Sequence, residues 1–144
     1  MQKRNSDKLL YAMRSLEDAI KYSRSGEFSG LGIEFKGILI SAVVQNFGLT
    51  FAVCRQMISQ QLTDSLGKEA VAGLTPSALF CLAAKERVIG NLDRWLEYLD
   101  CEHLTPSSNL ALRTFEKASA FLEDAAELLN TCKTRTQNER RRVA

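Results

Sequence analysis

The chain is poor in the residues that build metal centres and interrupt helices. It holds one histidine and two prolines in 144 residues. Its four cysteines, Cys54, Cys81, Cys101 and Cys132, lie far apart and form no Cys-x-x-Cys pair. With a single histidine to add, local spacing assembles no zinc pattern. Three of the cysteines sit among apolar neighbours, where a free thiol behaves as a small hydrophobe. No phosphate-cradling glycine loop, His-Glu-x-x-His pair, EF-hand loop or Gly-x-Ser-x-Gly elbow occurs. Neither a metal nor a cofactor is therefore expected. No run alternates apolar and polar residues for long enough to make a strand. No apolar signal core follows the polar start Met1–Lys8, and a reducing cytoplasm is the expected setting.

Charge is missing from one long stretch, and the rest of the chain is organised around it. Between Gly37 and Thr63 the only charged residue is Arg55, although a quarter of the whole chain is charged. Ile40, Val44, Phe47, Phe51, Cys54, Ile58 and Leu62 recur in steps of three and four, which is a helical stripe. Leu39, Val43, Leu49, Val53 and Met57 widen it, so the helix of about Lys36–Leu62 is expected to be buried in a bundle or an interface. The stretch is also long enough to cross a membrane. Gln45, Asn46, Thr50, Arg55, Gln56, Gln60 and Gln61 argue against a span, because polar groups are costly in lipid. Gly48 lies inside this helix at a cost of about 1 kcal/mol relative to alanine. A close helix–helix approach is the expected compensation, with a ligand contact as the alternative.

Four further helices flank the central one. The first starts at Ser6 or Asp7, buries Leu9, Leu10, Met13, Leu16 and Ile20, and ends near Ser25-Gly26. Thr75-Pro76 caps and starts a helix with Leu79, Phe80, Leu82 and Ala83 inward, closed by Val88-Ile89-Gly90. Asn91 caps a short helix carrying Leu92, Trp95, Leu96 and Leu99. The last runs from about Leu110 to Cys132, with Leu112, Phe115, Phe121, Leu122, Ala125, Leu128 and Leu129 inward. Glu116, Lys117, Glu123, Asp124 and Glu127 are expected to face water. The fold class is all-α, a five-helix antiparallel up-and-down bundle.

Positive charge gathers at one end. Residues 1–130 hold 14 Lys/Arg against 16 Asp/Glu, whereas residues 133–144 hold five basic residues against Glu139. The expected division is a bundle over residues 1–132 and a basic, disordered tail over 133–144. Contact of that tail with nucleic acid or an acidic partner is the alternative.

The stretch Asp100-Cys101-Glu102-His103-Leu104-Thr105-Pro106-Ser107-Ser108-Asn109 collects the side chains closest to a chemical constellation. His103 beside Asp100 and Glu102 could act as a carboxylate-assisted general base. Cys101 could serve as a thiol nucleophile. Equally, the stretch is a polar loop in which Thr105 or Ser108 caps the next helix.

The run Ala42-Val43-Val44-Gln45-Asn46-Phe47-Gly48-Leu49-Thr50-Phe51 resembles the central-helix signature of the nucleotidyltransferase substrate-binding proteins, small helical domains of the HEPN superfamily. The resemblance continues through Thr75-Pro76-Ser77, Trp95-Leu96-Glu97-Tyr98-Leu99-Asp100 and Leu104-Thr105 into the final helix. It implies a HEPN-like five-helix bundle that dimerises and pairs with a separate minimal nucleotidyltransferase subunit. In many such toxin–antitoxin-like pairs the HEPN partner is a ribonuclease. Its motif is an arginine, four residues, a histidine, one residue and a tyrosine. The arginine would stabilise phosphate charge, the histidine would handle a proton, and the tyrosine is the site the transferase modifies.

Aligned through Leu104-Thr105, this chain departs from that motif throughout. Glu102 stands in place of the arginine, Ser107 of the histidine and Asn109 of the tyrosine. His103 falls where asparagine is common, and Gly48 and Ala52 fall where relatives usually carry glutamate. The resemblance thus implies a binding subunit of a nucleotidyltransferase with no catalytic residue of its own. Its expected groove comprises Arg55, Glu102, His103, Thr105, Ser107 and Asn109. The expected partners are a second copy, through surface around Phe47, Phe51 and Ile58, and the transferase subunit. A nucleotide or nucleic acid is a further candidate ligand, and no membrane is expected. The alternatives are a ribonuclease rearranged around His103 and an interaction module with a repurposed groove.

Overall fold

A computed structural model describes residues 2–24, 33–102 and 108–143, and side chains within 5–23, 38–101 and 113–138. The chain forms α1 (Gln2–Arg24), α2 (Ile33–Leu66), α3 (Lys68–Val71), α4 (Pro76–Lys85), α5 (Leu92–Glu102) and α6 (Ser108–Val143). Among the described residues there is no strand. The architecture is the expected all-α bundle, with the one-turn α3 added between the second and third expected helices. Local chemistry explains that insertion. Gly67 at φ 94° and Gly73 at φ 77° adopt left-handed backbone that other residues resist, so the chain turns on either side of α3.

Of the expected helix starts, two are capped as read and one is not: α1 already begins at Gln2, so Ser6 and Asp7 lie inside it and neither caps it. Thr75 Oγ1 accepts from the Ala78 N–H at 3.2 Å with Pro76 at the first helical position. Asn91 Oδ1 accepts from the Arg94 N–H at 3.2 Å. Each cap satisfies one of the orphan donors at a helix start.

The core lies where α1, α2 and α6 meet, with α4 and α5 closing one side. α1 contributes Leu9, Leu16 and Ile20, and α6 contributes Ala118, Phe121, Ala125 and Leu128. At the centre six rings interlock: Phe47, Phe51, Phe80, Trp95, Tyr98 and Phe121. Phe47 and Phe121 have centroids 4.6 Å apart, and Tyr98 meets Phe121 edge-on at 5.1 Å. Rings of this kind bury about 150–250 Å² each, so truncating one is expected to cost about 3–5 kcal/mol.

By length and composition, Ile38–Leu66 could cross a membrane. Here α2 packs between α1 and α6, and its buried polar Thr50 is tied across the helix pair. Thr50 Oγ1 lies 2.7 Å from the Asn46 carbonyl and 3.2 Å from that of Ala12.

Four expectations are corrected. Phe47, Phe51 and Ile58 are sealed inside a single chain, so they offer no surface to a second copy. Leu49, counted with the buried rows, is 66% exposed. Gly48 marks no close helix approach among the described residues, since a Cβ built there meets none of their atoms within 4 Å. Finally, α6 does not stop near Cys132 but continues helically to Val143. No glycine or proline interrupts residues 133–143. Two contacts hold the start of the extension. Arg135 donates a 2.6 Å hydrogen bond to the Glu86 carbonyl, and Thr136 Oγ1 donates to the Cys132 carbonyl at 2.9 Å.

Candidate functional site

The expected groove falls where α5 ends and α6 begins. Glu102 is the last residue of α5 and Asn109 the second of α6. His103, Thr105 and Ser107 lie outside the described residues. Arg55 is half-buried on α2. Just before the break, Asp100 is exposed whereas Cys101 is buried, which removes the thiol from the surface where a nucleophile would act.

The seam between α5 and α6 carries an electrostatic arrangement that the periodicity did not reveal. Asp124, expected to face water, is 5% exposed. Its Oδ1 accepts from Arg94 Nη2 at 2.5 Å, and its Oδ2 accepts from the Tyr98 hydroxyl at 2.5 Å. Arg94 and Tyr98 are four residues apart on α5, one helical turn, so both reach the same carboxylate. Burial, and then the bond to Asp124, raise the Tyr98 hydroxyl well above the usual tyrosine range. One signal was available: Asp124 follows Phe121 by three residues and precedes Leu128 by four, on the apolar stripe itself.

Further along the seam, Lys117 Nζ donates to Glu97 Oε2 at 2.8 Å. That hydrogen bond, followed by the lysine's charge, holds the Glu97 carboxyl below its ordinary value. The pair is a surface contact, and such pairs contribute little to stability.

Beyond the seam, the turn after α4 and the middle of α6 border an open concavity. Arg87, Arg135, Glu123, Glu127, Asn130 and Thr134 are among the residues that line it. Its charges are mixed, and it is broadly open to solvent. Among the described residues no group of three His, Cys, Asp or Glu side chains could hold a metal ion.

This order of helices matches a solved structure. HI0074 of Haemophilus influenzae, reported as revealing the fold of a substrate-binding domain of a nucleotidyltransferase, superposes with a TM-score of 0.79. The two chains share a fold. The match covers 89% of this chain and 98% of that one at 20% sequence identity. No family model and no curated protein matches the chain.

Proposed function

We propose that the protein is a non-catalytic, substrate- or partner-binding subunit of a two-component nucleotidyltransferase, in which a separate minimal transferase supplies the chemistry. The observation that carries this reading is the near-complete coverage of both chains in the match to HI0074. The binding fold of that structure is thus matched almost from end to end. The substitutions in the nuclease-like motif support it. Glu102 would repel a phosphate where an arginine should hold one, and Ser107 and Asn109 supply no replacement. In this reading the surface that takes substrate or partner is a HEPN-like groove at the α5–α6 junction, to which Arg55 of α2 is proposed to contribute.

The subunit acts as a homodimer in this reading. The outer face of α2 supports that part. Ile38 and Leu49 are 64% and 66% exposed, Ser41, Gln45, Ala52 and Gln56 lie between or beside them, and none is charged. Gly48 leaves an open notch beside Leu49 through which a second backbone can approach.

Two measurements test the proposal. Coexpression with a minimal nucleotidyltransferase encoded in the neighbouring reading frame should give a complex stable to gel filtration. Purified protein alone should leave RNA intact. Separate elution of the two chains would end the subunit reading. RNA cleavage lost on His103→Ala would replace it with a ribonuclease rearranged around that histidine.

A further inference from the structure

The directions of the helices bring two basic segments, far apart in sequence, to one end of the bundle. Thr50 of α2 meets the Ala12 carbonyl of α1, and further along α2 Met57 and Gln61 share a small recess with Asn5 and Ser6. Helices α1 and α2 are therefore antiparallel. Phe47 packs on Phe121 of α6, whereas Met57 and Gln61 share that recess with Cys132 and Thr136. Helices α2 and α6 therefore run the same way, and the first turns of α1 lie beside the last turns of α6.

The sequence places the charge. Over its last three turns α6 carries Lys133, Arg135, Arg140, Arg141 and Arg142, with Glu139 the one acid among them. Helix α1 opens with Lys3 and Arg4, followed by Asp7 and Lys8, and the end of α2 adds Asp64. Eight basic residues thus stand against three acidic ones in these segments, while the rest of the chain holds 11 against 14. Lys3 and Arg4 lie within about one helical turn of the recess along α1, and Arg140 about one turn beyond it on α6. Since α6 has 36 residues and is about 54 Å long, this end is remote from the α5–α6 groove.

Composition decides what such an end can hold. Residues 2–8 and 133–142 include no aliphatic or aromatic residue. A helix that settles on a membrane needs an apolar face, and a protein partner needs an apolar centre to its interface. Single-stranded nucleic acid is held by aromatic stacking. These segments offer positive charge interleaved with the hydrogen-bonding residues Gln2, Asn5, Thr134, Gln137 and Asn138. That combination suits the phosphate oxygens of a duplex, whose contacts position a protein without reading sequence.

We propose that this end of the bundle, formed jointly by the start of α1 and the last turns of α6, binds the phosphate backbone of double-stranded nucleic acid without sequence preference. The surface is separate from the groove of the transferase reading and does not depend on it.

The test titrates the full chain against labelled duplexes of about 20 base pairs, one DNA and one RNA, from about 50 to about 200 mM salt, by fluorescence anisotropy. Affinity should fall linearly on a log–log plot with a slope of about −3 to −6, and scrambling the base sequence should change nothing. Arg140→Gln, Arg141→Gln and Arg142→Gln combined should weaken binding about tenfold or more at the lowest salt and flatten the slope by about 2–3. Lys3→Gln with Arg4→Gln should act in the same direction, about threefold or more, and flatten it by about 1–2. Lys21→Gln, towards the other end of α1, should change neither quantity. Glutamine keeps helix propensity, and an unchanged melting temperature separates a lost contact from a lost fold. Equal affinity for the two duplexes assigns the phosphate backbone they share, and tighter binding of one assigns that duplex. Full affinity in the Lys3/Arg4 variant would overturn the joint surface. So would tighter binding to a single strand, to phosphatidylserine vesicles or to polyglutamate than to either duplex, or an affinity that salt leaves unchanged.

Discussion

Asp124 shows how much one carboxylate can hold. Removing it leaves the Tyr98 hydroxyl buried without its acceptor and Arg94 without its counter-ion. Asp124→Ala is expected to cost about 2–4 kcal/mol, measured as a shift in the urea midpoint. Arg94→Ala should cost less, about 1 kcal/mol, because Arg94 is 47% exposed and solvent screens it. A loss under 0.5 kcal/mol for Asp124→Ala, on the order of a neutral surface change, would show that the network holds nothing. Tyr98, together with the buried Cys132, also sets an alkaline limit. Tyr98 is raised above its ordinary value by burial, and the Cys132 thiol is pushed up to about 11 from 9.0, also by burial. Both groups are neutral in the folded state at a pH where the unfolded chain would ionise them. Their stabilisation is complete below about pH 9 and is lost as pH rises through the folded-state values. Stability should therefore be level from pH 7 to about 9 and fall above it, with a shallower fall in Tyr98→Phe. A fall of equal slope in the variant would remove Tyr98 from the account. Thr75 and Asn91 were legible in the sequence because a cap depends on its own few neighbours. Asp124 was not, because its partners come from another helix.

Helix α6 is a single element with two kinds of support. Its middle is held by core packing, and the start of its extension by Arg135, which reaches another element, and by Thr136, which bonds back within α6. Arg135 bonds the carbonyl of Glu86, 49 positions earlier in the chain. A run of Lys, Arg, Thr, Gln and Asn has no apolar stripe, so the sequence pattern reads it as a solvated end. A hydrogen bond to the turn after α4 leaves no trace in local spacing. The expected consequence is a split result from two truncations. Deleting residues after Asn138 should leave the melting temperature nearly unchanged. Deleting those after Cys132 also removes the Arg135 and Thr136 bonds and should cost about 1–3 kcal/mol, by differential scanning calorimetry. Equal melting temperatures for the two truncations would show that Arg135 and Thr136 contribute nothing to stability.

For the molecule as a whole, the all-α architecture and the core of α2 were legible because apolar spacing by threes and fours reports a helix and its buried side. The spacing cannot say which neighbour covers which face. Phe47 and Leu49 stand two residues apart with similar hydrophobicity, yet one lies at the centre of the aromatic cluster and the other in solvent. The groove at the α5–α6 junction was legible only through resemblance, and His103, Thr105 and Ser107 lie outside the described residues. In the proposed homodimer the exposed α2 face is expected to take part in an interface burying on the order of 1,600–2,000 Å². Leu49→Lys should convert the dimer to a folded monomer in sedimentation at micromolar concentration. A wild-type protein that sediments as a monomer would end that part of the proposal. The meeting of α1 with α6, where Asn5 and Ser6 share a recess with Cys132 and Thr136, also bears on the order of events during synthesis. Helices α1 and α2 leave the ribosome before α6 and can pair as a hairpin of neighbouring segments. Their shared apolar side waits for α6, which emerges after the other five helices described, before the core can close. Until then the nascent chain displays the aromatic residues of α2, and a holding chaperone or very rapid late docking of α6 has to guard them.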